Sequence, residues 1–108
     1  MGYVYLILQI DEKGLEKHKI GFTKNNPELR VKQLSTGNPN QIRLLDFYES
    51  QNYIKVEKML HNKYFSLKTI SDNEWFNLTQ ETILEFKEEC KKFDAIIKLL
   101  KESNAFYK

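Results

Sequence analysis

The 108-residue chain is poor in the residues that staple, punctuate or anchor a protein: one cysteine, two histidines, two prolines and four glycines. A single cysteine excludes a disulfide framework, and with only two histidines it cannot complete a four-ligand structural zinc site unaided. No Pro/Gly/Ser-rich linker, internal repeat or low-complexity stretch interrupts the chain. No apolar run approaches the ~20 residues that a membrane helix needs. The apolar opening, residues 3–10, is short, lacks a basic flank and runs into Asp11-Glu12, so it is expected to be a strand rather than a signal peptide. Leu6 stands where a myristoylation signal requires Ser or Thr. The expectation is a small cytoplasmic protein with no membrane partner.

What is present suffices for one packed core, with 41% hydrophobic and 13% aromatic residues. The net charge of +2 hides a division. Residues 13–68 carry eleven Lys/Arg against five Asp/Glu, whereas the stretches on either side are each mildly acidic. A basic body permits a polyanionic partner without demanding one, and a solvated surface is the blander alternative.

Residues 3–10 are β-branched and aromatic on both alternating faces, the pattern of a strand covered on both sides. A polar connection at 11–14 and a second alternating run at 18–23 predict an antiparallel hairpin. Asn26-Pro27 predicts a helix start, with Asn as N-cap and Pro at the first position, and Gly37 a left-handed terminator. Residues 42–48 read as a strand, 52–65 as a second helix and 74–78 as a short aromatic segment. From Thr82 a longer helix is expected, Thr82 and Glu85 having capping-box spacing. Its stripe Ile83, Phe86, Cys90, Phe93, Ile97 and Leu100 covers the sheet or meets another helix. The closing Ala105-Phe106-Tyr107-Lys108 is expected to be loose. The fold class is α+β, a small central antiparallel sheet flanked by helices, with a core over 1–78 and an amphipathic helix over 79–108.

Glu57 is the most informative single residue. Tyr53, Ile54, Leu60 and Tyr64 lie at −4, −3, +3 and +7, placing its carboxylate within or beside the apolar stripe. Buried there it needs a cation, a metal or hydrogen-bond donors; at the stripe's margin it reaches water or a lysine. His61 follows one turn later. Arg30, near the N-terminal end of the first helix, can hold a phosphate bidentately or be an ordinary exposed arginine. Tyr3 and Tyr5 share one side of the first strand and on their own read as packing. His18 reads as a strand-face packing residue and Cys90 as a small buried hydrophobe. Asn77 either orients a ligand or caps the last helix.

Val4-Tyr5-Leu6-Ile7 and Lys19-Ile20-Gly21-Phe22-Thr23 resemble the paired strand signatures of the GIY-YIG nuclease superfamily. The series continues through residues 30–39, Glu57 with Leu60-His61, and Glu74-Trp75-Phe76. It looks like the phage- and virus-associated branch, whose second signature reads KIG-x-T, and covers about residues 3–78. The resemblance implies an endonuclease that cuts DNA phosphodiester bonds with one divalent ion, Mg²⁺ or Mn²⁺. Carried over position by position, Tyr5 is the first-signature tyrosine, Arg30 the phosphate-binding arginine and Glu57 the metal-binding glutamate. Lys19 occupies the second-signature tyrosine position, and Leu34 stands where several relatives have a histidine, for which His61 compensates.

The chemistry is consistent with those assignments. A carboxylate can hold Mg²⁺ while the ion keeps most of its waters. A phenol has a reference pKa of about 10, so Tyr5 acting as base at neutral pH calls for nearby positive charge, which Lys19 supplies. Gly21 is expected to let substrate backbone approach, with Thr23, Lys32 and Asn77 as further nucleic-acid contacts. Alternatives are a nucleic-acid-binding module that has lost efficient cutting and an interaction module dimerising through the last helix. Many relatives carry a separate DNA-reading domain; here target choice is expected to come from the core surface, a homodimer mate or a separate DNA-recognition partner.

Overall fold

The computed structural model describes residues 1–69 and 75–103. Four strands, β1 (Gly2–Ile10), β2 (Glu16–Thr23), β3 (Gln41–Ser50) and β4 (Trp75–Phe76), form one antiparallel sheet in the order β3-β1-β2-β4. Helices α1 (Pro27–Ser35), α2 (Tyr53–Lys63) and α3 (Gln80–Ser103) flank it. This is the α+β architecture expected, long C-terminal helix included. The 74–78 segment becomes the two-residue β4; Glu74 and the 105–108 stretch lie outside the described residues. No helix among the described residues is long and apolar enough to cross a membrane.

The central strand explains its own composition. Val4 and Leu6 enter a cluster with Ile20, Val56, Leu60, Phe76, Phe86, Cys90 and Ile97. Tyr5 and Ile7, on the opposite face, are equally buried, and α1 packs on that side against β1 and β3. Each such side chain contributes about 1.5–3 kcal/mol by leaving water. A bulge between Leu6 and Ile7 shifts the register with β3.

Asn26 caps α1 as expected, its Oδ1 accepting from Glu28 N at 2.9 Å. Gly37 follows the helix with φ +71°, a conformation that favours glycine. On α2, Tyr53, Val56 and Leu60 form the buried stripe, continued by the buried Tyr64 just past its end, spaced at three and four. Ile54, expected on that stripe, is instead half exposed, because Val56 takes the inward position. The helix ends at Lys63, and Phe65–Leu67 forms a 3-10 turn.

The start of α3 differs from expectation. Thr79 Oγ1 accepts from Thr82 N at 3.2 Å, so Thr79 caps a helix that begins at Gln80. Thr82 lies in the first turn, its hydroxyl donating to Thr79 O at 2.7 Å. Glu85 is thereby released to accept from Tyr64 Oη at 2.8 Å, joining α3 to α2. Asn77 caps nothing in this arrangement; its N–H donates to Leu67 O at 2.8 Å.

Candidate functional site

Beyond Lys19, β2 has no strand partner on its outer side among the described residues, since β4 pairs only with His18 and Lys19. There α2 presents the margin of its stripe. Glu57 and His61 each follow a buried residue, Val56 and Leu60, and are half buried at 17% side-chain exposure. The carboxylate Oε2 stands 3.7 Å from His61 Nε2.

His61 Nε2 also lies 2.7 Å from the carbonyl oxygen of Ile20. A carbonyl only accepts, so Nε2 carries a proton and donates to β2. The ring is seated edge-on against Phe76, centroids 4.9 Å apart. His61 therefore ties α2 to the strand beside Gly21 and sets where Glu57 stands.

Tyr5 reaches the same place from β1. It faces Gly21 across the hairpin, and its ring lies over that glycine. A Cβ added to Gly21 would fall 2.9 Å from Tyr5 Cε1 and nearer still to Cζ and Oη. The space above Gly21, expected to admit substrate backbone, is thus filled by the protein's own phenol. Lys19, on the same strand face, extends its ammonium over Trp75, 5.7 Å from the ring centroid. Arg30 comes from the first turns of α1, Nη1 donating to Gln33 Oε1 at 3.4 Å.

These side chains converge. Tyr5, Lys19, Gly21, Arg30, Glu57 and His61, together with Ile20 and Phe22, line one cleft of ≈ 210 Å³. Thr23, Lys32 and Asn77 are not among its lining residues. Thr23 Oγ1 accepts from Asn25 N at 3.1 Å in the turn toward α1, and Lys32 borders a separate depression beside Asn26, Glu28 and Leu29. Among the described residues, no group of three or more His, Cys, Asp or Glu side chains is placed to hold a metal ion. A multi-carboxylate cage is therefore absent from them. Glu57, among the described residues the one carboxylate lining the cleft, fits the other way of binding a hard divalent cation, through a single carboxylate and retained waters.

Two polar features away from the cleft have definite electrostatics. His18 is buried, and desolvation lowers its pKa below 6.5, against the charge of Glu16 and a hydrogen bond with the Phe76 backbone. Cys90 is fully buried, and desolvation pushes its thiol up to about 12, as befits a packing residue. Asp94 was not foreseen. Its carboxylate accepts from Tyr48 Oη at 2.7 Å, Ser50 Oγ at 2.9 Å and Asn52 Nδ2 at 3.0 Å. Burial alone would raise its pKa, but those three bonds and Lys98 outweigh it and hold the group below 3.8. The signal was an acid standing in the α3 stripe between Cys90 and Ile97.

The T5orf172 domain family has a sequence model that matches residues 2–91, the whole sheet and the first half of α3. It is a domain found in phage and other nuclease-like proteins. No curated protein and no solved structure matches the chain.

Proposed function

The chain belongs to the T5orf172 domain family, and from that premise we propose that it is a GIY-YIG-type endonuclease hydrolysing DNA phosphodiester bonds with a divalent metal. The observation that carries the reading is the convergence of Tyr5, Lys19, Arg30, Glu57 and His61 from β1, β2, α1 and α2 onto one cleft. A packed core has no use for two cations, a carboxylate and a phenol in one concavity, whereas a scissile phosphate uses all of them.

In this reading Arg30 neutralises a non-bridging phosphate oxygen with paired N–H donors. Lys19 adds positive charge on the strand face that carries Gly21. Tyr5, entering as the phenolate, takes a proton from the attacking water as the new O–P bond forms and later returns it to solvent; the P–O3′ bond breaks, and the departing oxygen is protonated by solvent. Glu57 would hold Mg²⁺ or Mn²⁺, which when bound supplies charge neutralisation at the phosphate and the leaving oxygen. His61 is a positioning residue, because its Nε2 proton is committed to Ile20.

Purified protein with Mg²⁺ or Mn²⁺ is expected to nick supercoiled plasmid or cut branched DNA. Glu57→Ala is expected to abolish cutting without altering the melting curve. Cleavage unchanged by that substitution would defeat the mechanism. Salt-sensitive DNA binding by the wild type with no metal-dependent turnover would replace the enzyme with a binding module.

A further inference from the structure

The sheet face that bears Tyr5 continues past the cleft onto β3. Phe47 stands directly opposite Tyr5 in register, and Tyr3 lies two residues along β1, about 6.8 Å away at strand rise. The Tyr3 and Phe47 rings meet edge to face, centroids 5.9 Å apart at 73°. Although Tyr5 beside it is buried, Phe47 is 41% exposed. Three aromatic rings thus run from the cleft to open solvent on one face.

The charges around the outer two rings are ordered. Lys87 Nζ lies 5.6 Å from the Phe47 centroid, bridged to Asp46 at 3.2 Å. Glu49, opposite Tyr3, accepts a hydrogen bond from its phenol, and its charge raises that phenol above the ordinary value. A phosphate would be repelled by a carboxylate at that spot. A nucleobase would not: its face stacks on an aromatic ring, and a carboxylate accepts from exocyclic amino groups.

We propose that Phe47 and Tyr3 form a stacking platform for an unpaired base beside the phosphate held in the cleft, so that single-stranded, flapped or branched DNA is preferred over continuous duplex. This rests on the phosphodiesterase reading of the cleft. In a duplex both faces of each base are closed by stacking, and only an unpaired base offers its face to a ring. The ~6.8 Å step along β1 is about twice the ~3.4 Å spacing of stacked bases, which suits a strand whose bases are pulled apart. The platform selects the substrate, while the cleft does the chemistry.

The test uses a short single strand containing 2-aminopurine and a hairpin duplex of the same sequence, both in EDTA. Wild type is expected to quench the 2-aminopurine emission and to bind the single strand more tightly. Phe47→Leu is expected to lose quenching and weaken single-strand binding by about tenfold, with duplex binding nearly unchanged. Phe47→Trp should retain both, and an unchanged melting temperature establishes that the variants are folded. Arg30→Ala, a phosphate contact, should weaken both substrates alike. Phe47→Leu that quenches and binds as wild type, or that weakens duplex equally, overturns the platform. So does loss of self-association in Phe47→Leu without any effect on either oligonucleotide, which would assign the face to a second copy of the chain. Wild type that cuts neither substrate with Mg²⁺ yet retains Phe47-dependent selectivity would remove the nuclease reading and leave the platform standing.

Discussion

Gly21→Ala tests whether the glycine exists to seat the Tyr5 phenol. The new methyl carbon would stand 2.9 Å from Cε1 and closer to Cζ and Oη, where unstrained carbon contacts lie at about 3.5–4.0 Å. The ring must retreat by roughly 1 Å, yet Tyr5 is only 2% exposed and cannot simply swing into solvent. Overpacking of this kind costs about 1–3 kcal/mol. In a Tyr5→Leu background the obstruction is gone, and replacing a strand glycine by alanine should then be neutral or stabilising by about 0.5–1 kcal/mol. The double-mutant cycle is therefore expected to yield a coupling of about 1–4 kcal/mol, measured by urea unfolding of the four proteins. Plasmid nicking by the single Gly21→Ala variant should fall by about 10², the scale of a 1 Å misplacement of a reacting group. Additive stabilities in the cycle, or wild-type nicking by Gly21→Ala, would refute this account.

Asp94→Ala orphans the donors of Tyr48, Ser50 and Asn52 and is expected to cost about 3–5 kcal/mol. At ~4 °C per kcal/mol that lowers Tm by roughly 12–20 °C, whereas removing its exposed partner in Lys98→Ala should change stability by less than about 1 kcal/mol. His18 is held neutral in the fold, and the unfolded chain binds its proton near pH 6.5. Its stabilising effect is complete above that pH and is lost as pH falls below it. Melting curves between about pH 7.5 and pH 5.5 should show this slope, and His18→Leu should flatten it. His61→Ala is expected to reduce nicking by moving Glu57 rather than by removing a base, so the pH profile of the residual activity should keep the wild-type shape.

Local signals carried most of the fold. Alternation in residues 3–10 and 18–23, the Asn26-Pro27 start, Gly37 and the long apolar stripe of α3 are each written within a few consecutive residues, and each element appears. Errors arose where two local solutions compete. Thr79 and Thr82 both precede an apolar run and can both cap, and packing of Glu85 on Tyr64 decides for Thr79. Ile54 and Val56 both suit a helical stripe, and only the sheet beneath selects Val56. The order of Tyr5, Lys19, Arg30, Glu57 and His61 in the sequence already suggested grouping them, and they line one cleft, but three properties around that cleft were not legible. That Gly21 accommodates Tyr5 requires cross-strand register. That His61 is a donor requires the Ile20 carbonyl, 41 positions away. That Phe47 neighbours Tyr5 requires the pairing of β1 with β3.

Among the described residues, β4 pairs with β2 only at His18 and Lys19 and leaves β2 beyond them without a strand neighbour on that side. Rims of this kind template edge-to-edge polymerisation unless something blunts them. The imidazole of His61 occupies the Ile20 carbonyl, so a foreign strand seeking to extend the sheet must first evict it. One side chain thus serves as both anchor and sentry, and weakening it would be felt in shelf life and concentration tolerance before any change in the shape of the monomer.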